Sequence, residues 1–123
     1  MNPLKLLKVL FTSAPRRSPA ECAARVRAGE ALLIDVREPG EWTGGVAQHA
    51  ALLSLGELRG PRTRWAPFLA RAGRRELLLY CAVGGRAGLA AKLLAAEGYQ
   101  VANTGGLADW RAAGWPVVPP PAT

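Results

Sequence analysis

Hydrophobic and polar positions along the chain alternate between short, continuous apolar runs and segments with helical spacing. The apolar runs at residues 31–35 and 76–80 are typical of buried strands, and residues 100–102 predict a further short strand. Residues 103–105 then predict a turn. We expect the strand that ends at Asp35 to lie at the centre of a sheet.

Helices are predicted between these runs. Ser18 and Glu21 form a capping box that predicts a helix to about residue 28, and helical spacing over residues 87–97 ends at Gly98. Two more helices are predicted, over residues 61–72, where Pro67 limits or kinks the helix, and over residues 106–113. Because strands and helices alternate, the sequence predicts an α/β fold with a mostly parallel central sheet and helices on both faces.

The two ends of the chain differ from this pattern. Residues 1–17 are interpreted as an N-terminal extension, residues 18–118 as the domain, and residues 119–123 as an extended, proline-rich tail. The extension has the spacing of a short amphipathic helix, with Leu4, Lys5, Leu7, Lys8 and Phe11. Lys8 leaves its apolar run too short to span a membrane, and no cleavage site of a signal peptide follows. We expect residues 1–15 to pack on the domain, to pair two subunits or to contact a membrane surface weakly.

Candidate chemistry is concentrated in the stretch Tyr-Cys-Ala-Val-Gly-Gly-Arg at residues 80–86, between a strand and a helix. A cysteine placed there lies where the N–H groups of a helix N-terminus converge, and glycine allows the loop to adopt positive φ. A helix N-terminus and a nearby cation both favour the thiolate. We therefore predict that Cys81 is a nucleophile. An anionic substrate would bind beside it, at Ala82, Val83, Gly84, Gly85 and Arg86. From the loop alone, Cys81 as a small buried hydrophobic residue remains the alternative.

Two further segments flank this loop. Asp35-Val36-Arg37 and Glu41-Trp42 precede it, and Gly105-Gly106, Trp110 and Gly114-Trp115-Pro116 follow it. In this order, and together with the loop from Cys81 to Arg86, these motifs resemble the rhodanese family of sulfurtransferases over roughly residues 18–118. The resemblance implies a three-layer rhodanese-like domain with a mostly parallel central sheet.

The resemblance also implies a mechanism. The Cys81 thiolate would attack the sulfane sulfur of thiosulfate or of a persulfide donor and form a persulfide, and a thiophilic acceptor (cyanide, a thiol or a protein) would then take that sulfur. No metal and no organic cofactor is expected. Four residues separate Cys81 from Arg86, as in the sulfurtransferases, whereas the related phosphatases and arsenate reductases have five. This loop length favours sulfur transfer over phosphate-ester hydrolysis.

The chain departs from the family pattern in two places. In the segment after the aromatic residue, where the family carries His, Gly, Asn and Pro, this sequence has Val46, His49, Leu52 and Ser54. In the loop, Ala82 and Ala87 stand where many active members have polar or basic residues. The predicted pocket is less cationic than usual, so we expect thiosulfate to bind weakly. Two alternatives to a thiosulfate-using enzyme therefore stay open, a persulfide carrier that serves a partner protein and a catalytically silent interaction domain.

Several charged residues near the loop are expected to have structural roles. Asp35 and Arg37 are interpreted as support of the site rather than as proton-transfer groups, since a buried carboxylate needs a partner. Glu38 and Glu41 are expected in the first turn of a short helix, where they favour the helix dipole. His49, the single histidine, is predicted to lie in a loop and not to act as a catalytic base.

Composition adds limits to this picture. A chain of 123 residues that is 50% hydrophobic is long enough for one domain with one core. The net charge of +7 is spread over scattered arginines without a recognisable nucleic-acid module, so no nucleic-acid partner is expected. A docking patch for an acidic protein or an anionic membrane is the alternative. With two cysteines and no disulfide pattern we expect a reducing, cytoplasmic setting, in which Cys22 packs in a helix or, alternatively, resolves a disulfide with Cys81.

Overall fold

A parallel four-stranded sheet forms the centre of the protein in the computed structural model, which describes residues 2–122. In chain order the strands are β1 (Ala31–Asp35), β2 (Val46–Ala47), β3 (Ala51–Leu52), β4 (Glu76–Cys81), β5 (Val101–Gly106) and β6 (Val117–Val118). The central sheet has the order β3-β1-β4-β5, and β2 and β6 pair antiparallel in a second, small ladder. The two apolar runs of the sequence are therefore the two inner strands of the sheet.

Helices cover both faces of the sheet. They are α1 (Pro3–Phe11), α2 (Pro19–Arg27), α3 (Pro39–Trp42), α4 (Leu55–Leu58), α5 (Trp65–Ala72), α6 (Gly85–Ala96) and α7 (Leu107–Ala112). Ser18 caps α2 with the capping box that the sequence predicts. The predicted α/β fold, with a mostly parallel sheet between two layers of helices, is confirmed.

Alternation along β4 divides the interior into two hydrophobic clusters. Leu77, Leu79 and Cys81 point toward the cluster that holds residues of α4, α5 and α6, and Val9 of α1 joins it. Leu78 and Tyr80 point toward the other cluster, which holds residues of α2 and α7. Because successive side chains of a strand point to opposite faces, Cys81 and Tyr80 lie on opposite sides of the sheet.

The predicted strand at residues 100–102 and the turn after it are wrong in extent. The strand β5 begins at Val101 and continues to Gly106, through the residues that were expected to form the turn. Pairing with β4 and side-chain contacts outweigh the low strand preference of this segment. The Thr104 hydroxyl donates to the carbonyl oxygen of Leu79 (2.8 Å), and the backbone of Asn103 bonds to Pro15 and Arg17 on its other side.

Helix boundaries also differ from the predicted ones. The helix predicted over residues 61–72 begins later, at Trp65, so Pro67 lies in its first turn, where no intrahelical donor is required. It therefore interrupts no helical hydrogen bond. The helix after the loop begins at Gly85, two residues before the predicted start, and ends at Ala96. The sequence did not predict α4 or the two-residue strands β2, β3 and β6, which are too short to show a period.

The two ends of the described chain lie against the domain. The helix α1 buries Val9 and forms an ion pair between Lys5 and Glu97 (3.7 Å), while most of its other apolar side chains stay exposed. At the other end, Pro120 and Pro121 lie beside Trp42 along a cavity of about 410 Å³. Met1 and Thr123, the outermost residues of the predicted extension and tail, lie outside the described residues. Within residues 2–122, no helix is both long and apolar enough to cross a membrane.

Candidate active site

The sulfur of Cys81 lies at the N-terminus of α6. Cys81 is the last residue of β4, and its side chain is almost fully buried. Its Sγ accepts hydrogen bonds from the backbone N–H groups of Gly84 (3.0 Å) and Ala87 (3.4 Å). Gly84, at φ 104°, is the N-cap of α6 and turns the chain from the loop into the helix. Two amides thus converge on the sulfur, and the helix dipole favours negative charge there.

The loop between Cys81 and α6 presents a mostly apolar surface. Ala82, Val83 and Gly85 are exposed, and Val83 has 88% of its surface open to solvent. Gly84 is buried beneath them. Of the five residues predicted to bind a substrate, Gly84 contacts the sulfur through its backbone N–H. The side chains of Ala82, Val83, Gly84 and Gly85 supply no charge.

Two residues of β5, Asn103 and Gly106, contact the loop that joins Cys81 to α6. The side-chain amide of Asn103 donates to the carbonyl oxygen of Gly84 (3.0 Å), and its oxygen accepts from the N–H of Gly105 (2.9 Å). A Cβ atom at Gly106 would lie 2.1 Å from the carbonyl oxygen of Ala82, so the loop can rest on β5 at this point only if residue 106 is glycine. The sequence motif Gly105-Gly106 was the signal for this contact, while nothing in the sequence indicated the role of Asn103.

Arg86 is paired with Glu41, which sequence reasoning did not foresee. Its guanidinium makes a bidentate contact with the carboxylate of Glu41, with one arm at 2.8 Å. Glu41 also accepts from the N–H of Glu38 (3.1 Å) in a capping box at the start of α3. The cation that was expected to face a substrate anion is thus engaged by a carboxylate of the protein.

Both partners of this pair are held in their charged forms. The hydrogen bond from Arg86 lowers the pKa of Glu41 to about 2, and the bond to Glu41 raises the pKa of Arg86 above its usual range. About a third of each side chain remains exposed, so water screens the interaction and its effect on stability is small. Its consequence for the site is electrostatic, because the loop's single cation is neutralised.

Asp35 and Arg37 form a buried pair with Tyr80. The Asp35 carboxylate accepts from the Arg37 guanidinium (2.7 Å) and from the Tyr80 hydroxyl (2.7 Å). The same guanidinium donates to the carbonyl oxygen of Gly45 (2.7 Å), and the Tyr80 hydroxyl accepts from the N–H of Ala47 (2.9 Å). Burial, reinforced by the neighbouring Asp35 carboxylate, raises the pKa of Tyr80 far above its ordinary range.

This cluster lies across the sheet from the sulfur. Asp35 pairs in register with Tyr80, so both side chains point to the face opposite Cys81. The cluster therefore joins β1, β4 and the segment at β2, and it has no direct path for a proton to Cys81. Its geometry favours the structural interpretation of Asp35 and Arg37.

Cys22 and His49 do not reach the loop. Cys22 lies in α2 within the hydrophobic cluster on the Tyr80 side of the sheet, and burial raises the pKa of its thiol. The sheet separates it from Cys81, so the geometry opposes its role as a resolving thiol. His49 packs edge-on against Trp115 with ring centroids 6.3 Å apart. Within residues 2–122, no group of three or more His, Cys, Asp or Glu side chains has the spacing to hold a metal ion.

The fold and the site together define an α/β protein with a buried cysteine at the end of a central parallel strand, where the next helix begins. A sequence profile of the rhodanese-like domain matches residues 18–113. The chain belongs to the rhodanese-like domain family.

Solved structures of other proteins agree with this assignment. A rhodanese-related protein from Thermoplasma volcanium is 25% identical with a TM-score of 0.69, over 86% of this chain and 99% of that one. A Rhodopseudomonas palustris protein of unknown function, described as a possible tyrosine phosphatase, is 27% identical with a TM-score of 0.72, over 93% and 91%. A Helicobacter pylori protein is 28% identical with a TM-score of 0.64, over 84% and 87%. No curated protein matches the chain.

Proposed function

We propose that this protein is a sulfurtransferase that carries a sulfane sulfur on Cys81. The observation that supports this most strongly is the position of the Sγ atom, which accepts hydrogen bonds from Gly84 and Ala87 at the N-terminus of α6. A sulfur that accepts two backbone hydrogen bonds at a helix N-terminus is placed for nucleophilic attack. The donor class is thiosulfate or a persulfide, and the acceptor is a thiophile such as cyanide, a thiol or a protein.

Two half-reactions make up the proposed cycle. The Cys81 thiolate forms a bond to the outer sulfur of the donor, and the donor's own bond to that sulfur breaks with its electron pair leaving on sulfite or a thiolate. The acceptor then attacks the outer sulfur of the Cys81 persulfide and restores the thiolate. Residues Ala82 to Arg86 would surround the donor, and Asp35 with Arg37 would support the loop through the sheet. The cycle requires no metal or organic cofactor.

A persulfide carrier that serves a partner protein is the second candidate. It is favoured by the apolar loop tip, where Val83 is 88% exposed, and by the neutralisation of Arg86. An exposed apolar tip suits contact with a protein more than capture of a small anion. The two candidates share the Cys81 persulfide and differ in turnover with small donors.

Phosphate-ester hydrolysis is less well supported by the loop. The description of the Rhodopseudomonas palustris protein raises this activity for that protein. In the present chain four residues lie between Cys81 and Arg86, one fewer than in the related phosphatases. The shorter loop leaves less room for a tetrahedral phosphoryl group, and the guanidinium that would bind it is paired with Glu41.

Contacts outside the site belong to the same proposal. The helix α1 exposes Leu4, Leu7, Leu10 and Phe11, which supports a contact of residues 1–15 with a second copy of the chain or with a membrane surface. Two free cysteines suit a reducing compartment, and we place the protein in the cytoplasm on that ground. No nucleic-acid partner is proposed.

Steady-state transfer of sulfur to cyanide, followed as thiocyanate, tests the proposal. Wild-type protein should form thiocyanate from at least one sulfane donor, and Cys81→Ser should form none while keeping its fold by circular dichroism. Cys22→Ala is the matched control, since it removes the other thiol on the far side of the sheet and should retain activity. Equal thiocyanate formation by wild type and Cys81→Ser would refute the proposal.

A further inference from the structure

We propose that the solvent-facing side of α1 binds the surface of an anionic membrane, with its apolar side chains among the lipids and Lys8 beside their headgroups. Residues 1–15 were expected to contact either a second copy of the chain or a membrane, and the geometry and charge of α1 favour the membrane. This inference goes beyond the sulfur transfer proposed for Cys81 and does not depend on it.

The helix α1 presents an apolar face to solvent. Five of its nine residues are large apolar side chains that are between 48% and 87% exposed, namely Leu4, Leu6, Leu7, Leu10 and Phe11. At about 100° per residue, these five positions occupy about 160° of the helix circumference. Elsewhere in residues 2–122, Val83 and Leu89 are the only other exposed large hydrophobic residues. A concentration of exposed apolar surface on one element indicates a binding surface.

The opposite side of α1 holds the helix on the domain. Val9 is buried in the hydrophobic cluster that contains Leu93 and Leu94 of α6. Lys5, one turn before Val9 and on the same side of α1, forms an ion pair with Glu97 (3.7 Å). Because these contacts fix the inner side of the helix, the apolar face is directed away from the domain.

The charge along this part of the chain is positive. Residues 1–20 contain four basic side chains and no acidic one: Lys5, Lys8, Arg16 and Arg17. Lys8 lies one turn after Leu4, at the edge of the apolar face, where it is exposed and forms no ion pair within residues 2–122. A lysine at the edge of an apolar helix face can keep its ammonium group among lipid headgroups while the apolar residues insert more deeply.

Further cations lie near both ends of α1. Arg59 lines a cavity together with Lys5, and Arg16 and Lys92 line another together with Ala14, which follows α1. Arg59, Arg16 and Lys92 are exposed, and neither cavity has an acidic lining residue. Each basic residue held near an anionic membrane surface strengthens binding by about fivefold. The surroundings of the apolar face therefore favour anionic lipid over neutral lipid.

A second copy of the chain is a less suitable partner for this face. It would bring another net charge of +7 to the contact, and α1 has no acidic residue to pair with it. At about 1.5 Å per residue, α1 is about 14 Å long, so its apolar face covers on the order of 200 Å². A stable dimer buries about 800 Å² on each partner. A membrane requires no matching shape, because apolar side chains insert among the lipids individually.

Co-sedimentation of the full chain with lipid vesicles tests the proposal. Vesicles of phosphatidylcholine alone are compared with vesicles that also contain about 30% phosphatidylglycerol. We expect wild type to bind the anionic vesicles at least about tenfold more tightly than the neutral ones. High salt should weaken this preference, because it screens the attraction between the basic residues and the lipid headgroups.

Replacing two leucines separates insertion of the apolar face from general attraction of a basic protein. Leu4→Gln/Leu7→Gln keeps the charge and the helix propensity of α1, and it should bind the anionic vesicles at least about tenfold more weakly. The matched control is Leu4→Met/Leu7→Met, which keeps both positions apolar and should bind within about threefold of wild type. Because neither variant changes the net charge, a difference between them must come from the apolar face.

A charge variant tests the edge of the face and keeps the test valid if the double glutamine variant does not fold. Lys8→Gln should weaken binding to anionic vesicles by about fivefold and leave binding to neutral vesicles unchanged. Its control is Arg111→Gln, which removes one exposed cation from α7. Trp110 of α7 packs in the other hydrophobic cluster, on the opposite face of the sheet from Val9, so this control should bind within about twofold of wild type.

Three results would overturn the proposal: wild type does not prefer the anionic vesicles, Leu4→Gln/Leu7→Gln binds them as wild type does, or Lys8→Gln behaves as Arg111→Gln does. A dimer in sedimentation velocity that dissociates in Leu4→Gln/Leu7→Gln, without vesicle binding by wild type, would overturn it in favour of a second copy. Thiocyanate formation by the same proteins is a separate measurement, so the sulfur transfer proposed for Cys81 stands or fails independently of vesicle binding.

Discussion

Two adjacent side chains of β4, Tyr80 and Cys81, show how the period of a strand assigns separate roles. Cys81 points to the cluster under α6 and meets the amides of the loop, while Tyr80 points to the opposite cluster and donates to Asp35 (2.7 Å). The site of the chemistry proposed for Cys81 and the polar network around Asp35 therefore lie on opposite faces of the sheet, although the two β4 residues are adjacent in the chain.

Replacing Tyr80 tests that separation. Tyr80→Phe removes the hydroxyl that donates to Asp35 and accepts from the N–H of Ala47, and it leaves both groups without this partner in a buried site. We expect the free energy of unfolding to fall by about 1–3 kcal/mol, measured by urea denaturation, with persulfide formation on Cys81 retained in the folded protein. Tyr99→Phe, at a half-buried position, should cost less than about 0.5 kcal/mol. Loss of persulfide formation without loss of stability would contradict the separation.

Residue by residue, the sequence predicts some of the site and misses the rest for a physical reason. Cys81 and Gly84 were predicted from local turn chemistry, because a strand, a glycine-bearing turn and a helix follow one another directly. The contact of Arg86 with Glu41 spans 45 positions, and that of Asn103 with Gly84 spans 19. Neither has a local period, so only the arrangement of the strands brings these partners together.

At the scale of elements, the contact of β5 with the loop determines where the sulfur lies. Gly106→Ala should displace the loop, since the added Cβ would meet the carbonyl oxygen of Ala82 at 2.1 Å and backbone cannot move as a side chain does. We expect sulfur transfer to fall by at least about tenfold, because a misplacement near 1 Å costs that much or more. Gly40→Ala is the control, since a Cβ there meets nothing within 4 Å. Equal activity of the two variants would show that this contact does not position the loop.

Strands with longer continuous apolar runs were predicted more completely from the sequence. The inner strands β1 and β4 appear in the sequence as continuous apolar runs, which is typical of parallel strands covered on both faces. The edge strand β5 ends in Asn-Thr-Gly-Gly, and its extent depends on pairing with β4 and on the bond from Thr104 to Leu79. Strands of two residues, such as β2 and β6, are defined by their pairing alone.

For the molecule as a whole, a net charge of +7 is offset locally by ion pairs of its few carboxylates. Glu76, at the start of β4, accepts from Arg25 (2.6 Å) and from Arg17 (3.1 Å), which ties α2 and the segment before it to the sheet. Burial alone would raise the pKa of Glu76, but these hydrogen bonds outweigh it, and the pKa is lowered from about 4.5. The contacts of Glu76 with Arg25 and Arg17 therefore stabilise the folded protein above about pH 4.5.

Acid should weaken the fold through this group. Because the pKa of Glu76 is lower in the folded than in the unfolded chain, its contribution is complete above about pH 4.5 and is lost as the pH falls through the folded value. Glu76→Gln should reduce the free energy of unfolding at pH 7 by about 1–2 kcal/mol, and it should flatten the decline between pH 5 and pH 3. Denaturation curves at several pH values measure this, with Glu30→Gln at an exposed position as control. An unchanged pH profile in Glu76→Gln would contradict the assignment.

Intact-mass spectrometry after incubation with a sulfane donor tests the central claim most directly. The account predicts one added sulfur atom on wild-type protein treated with the persulfide of 2-mercaptoethanol, removed again by cyanide, and no stable addition to Cys81→Ser. Peptide mapping should place the sulfur on Cys81 and not on Cys22. An unchanged mass with that donor and with thiosulfate, or an added sulfur that persists in Cys81→Ser, would contradict the account.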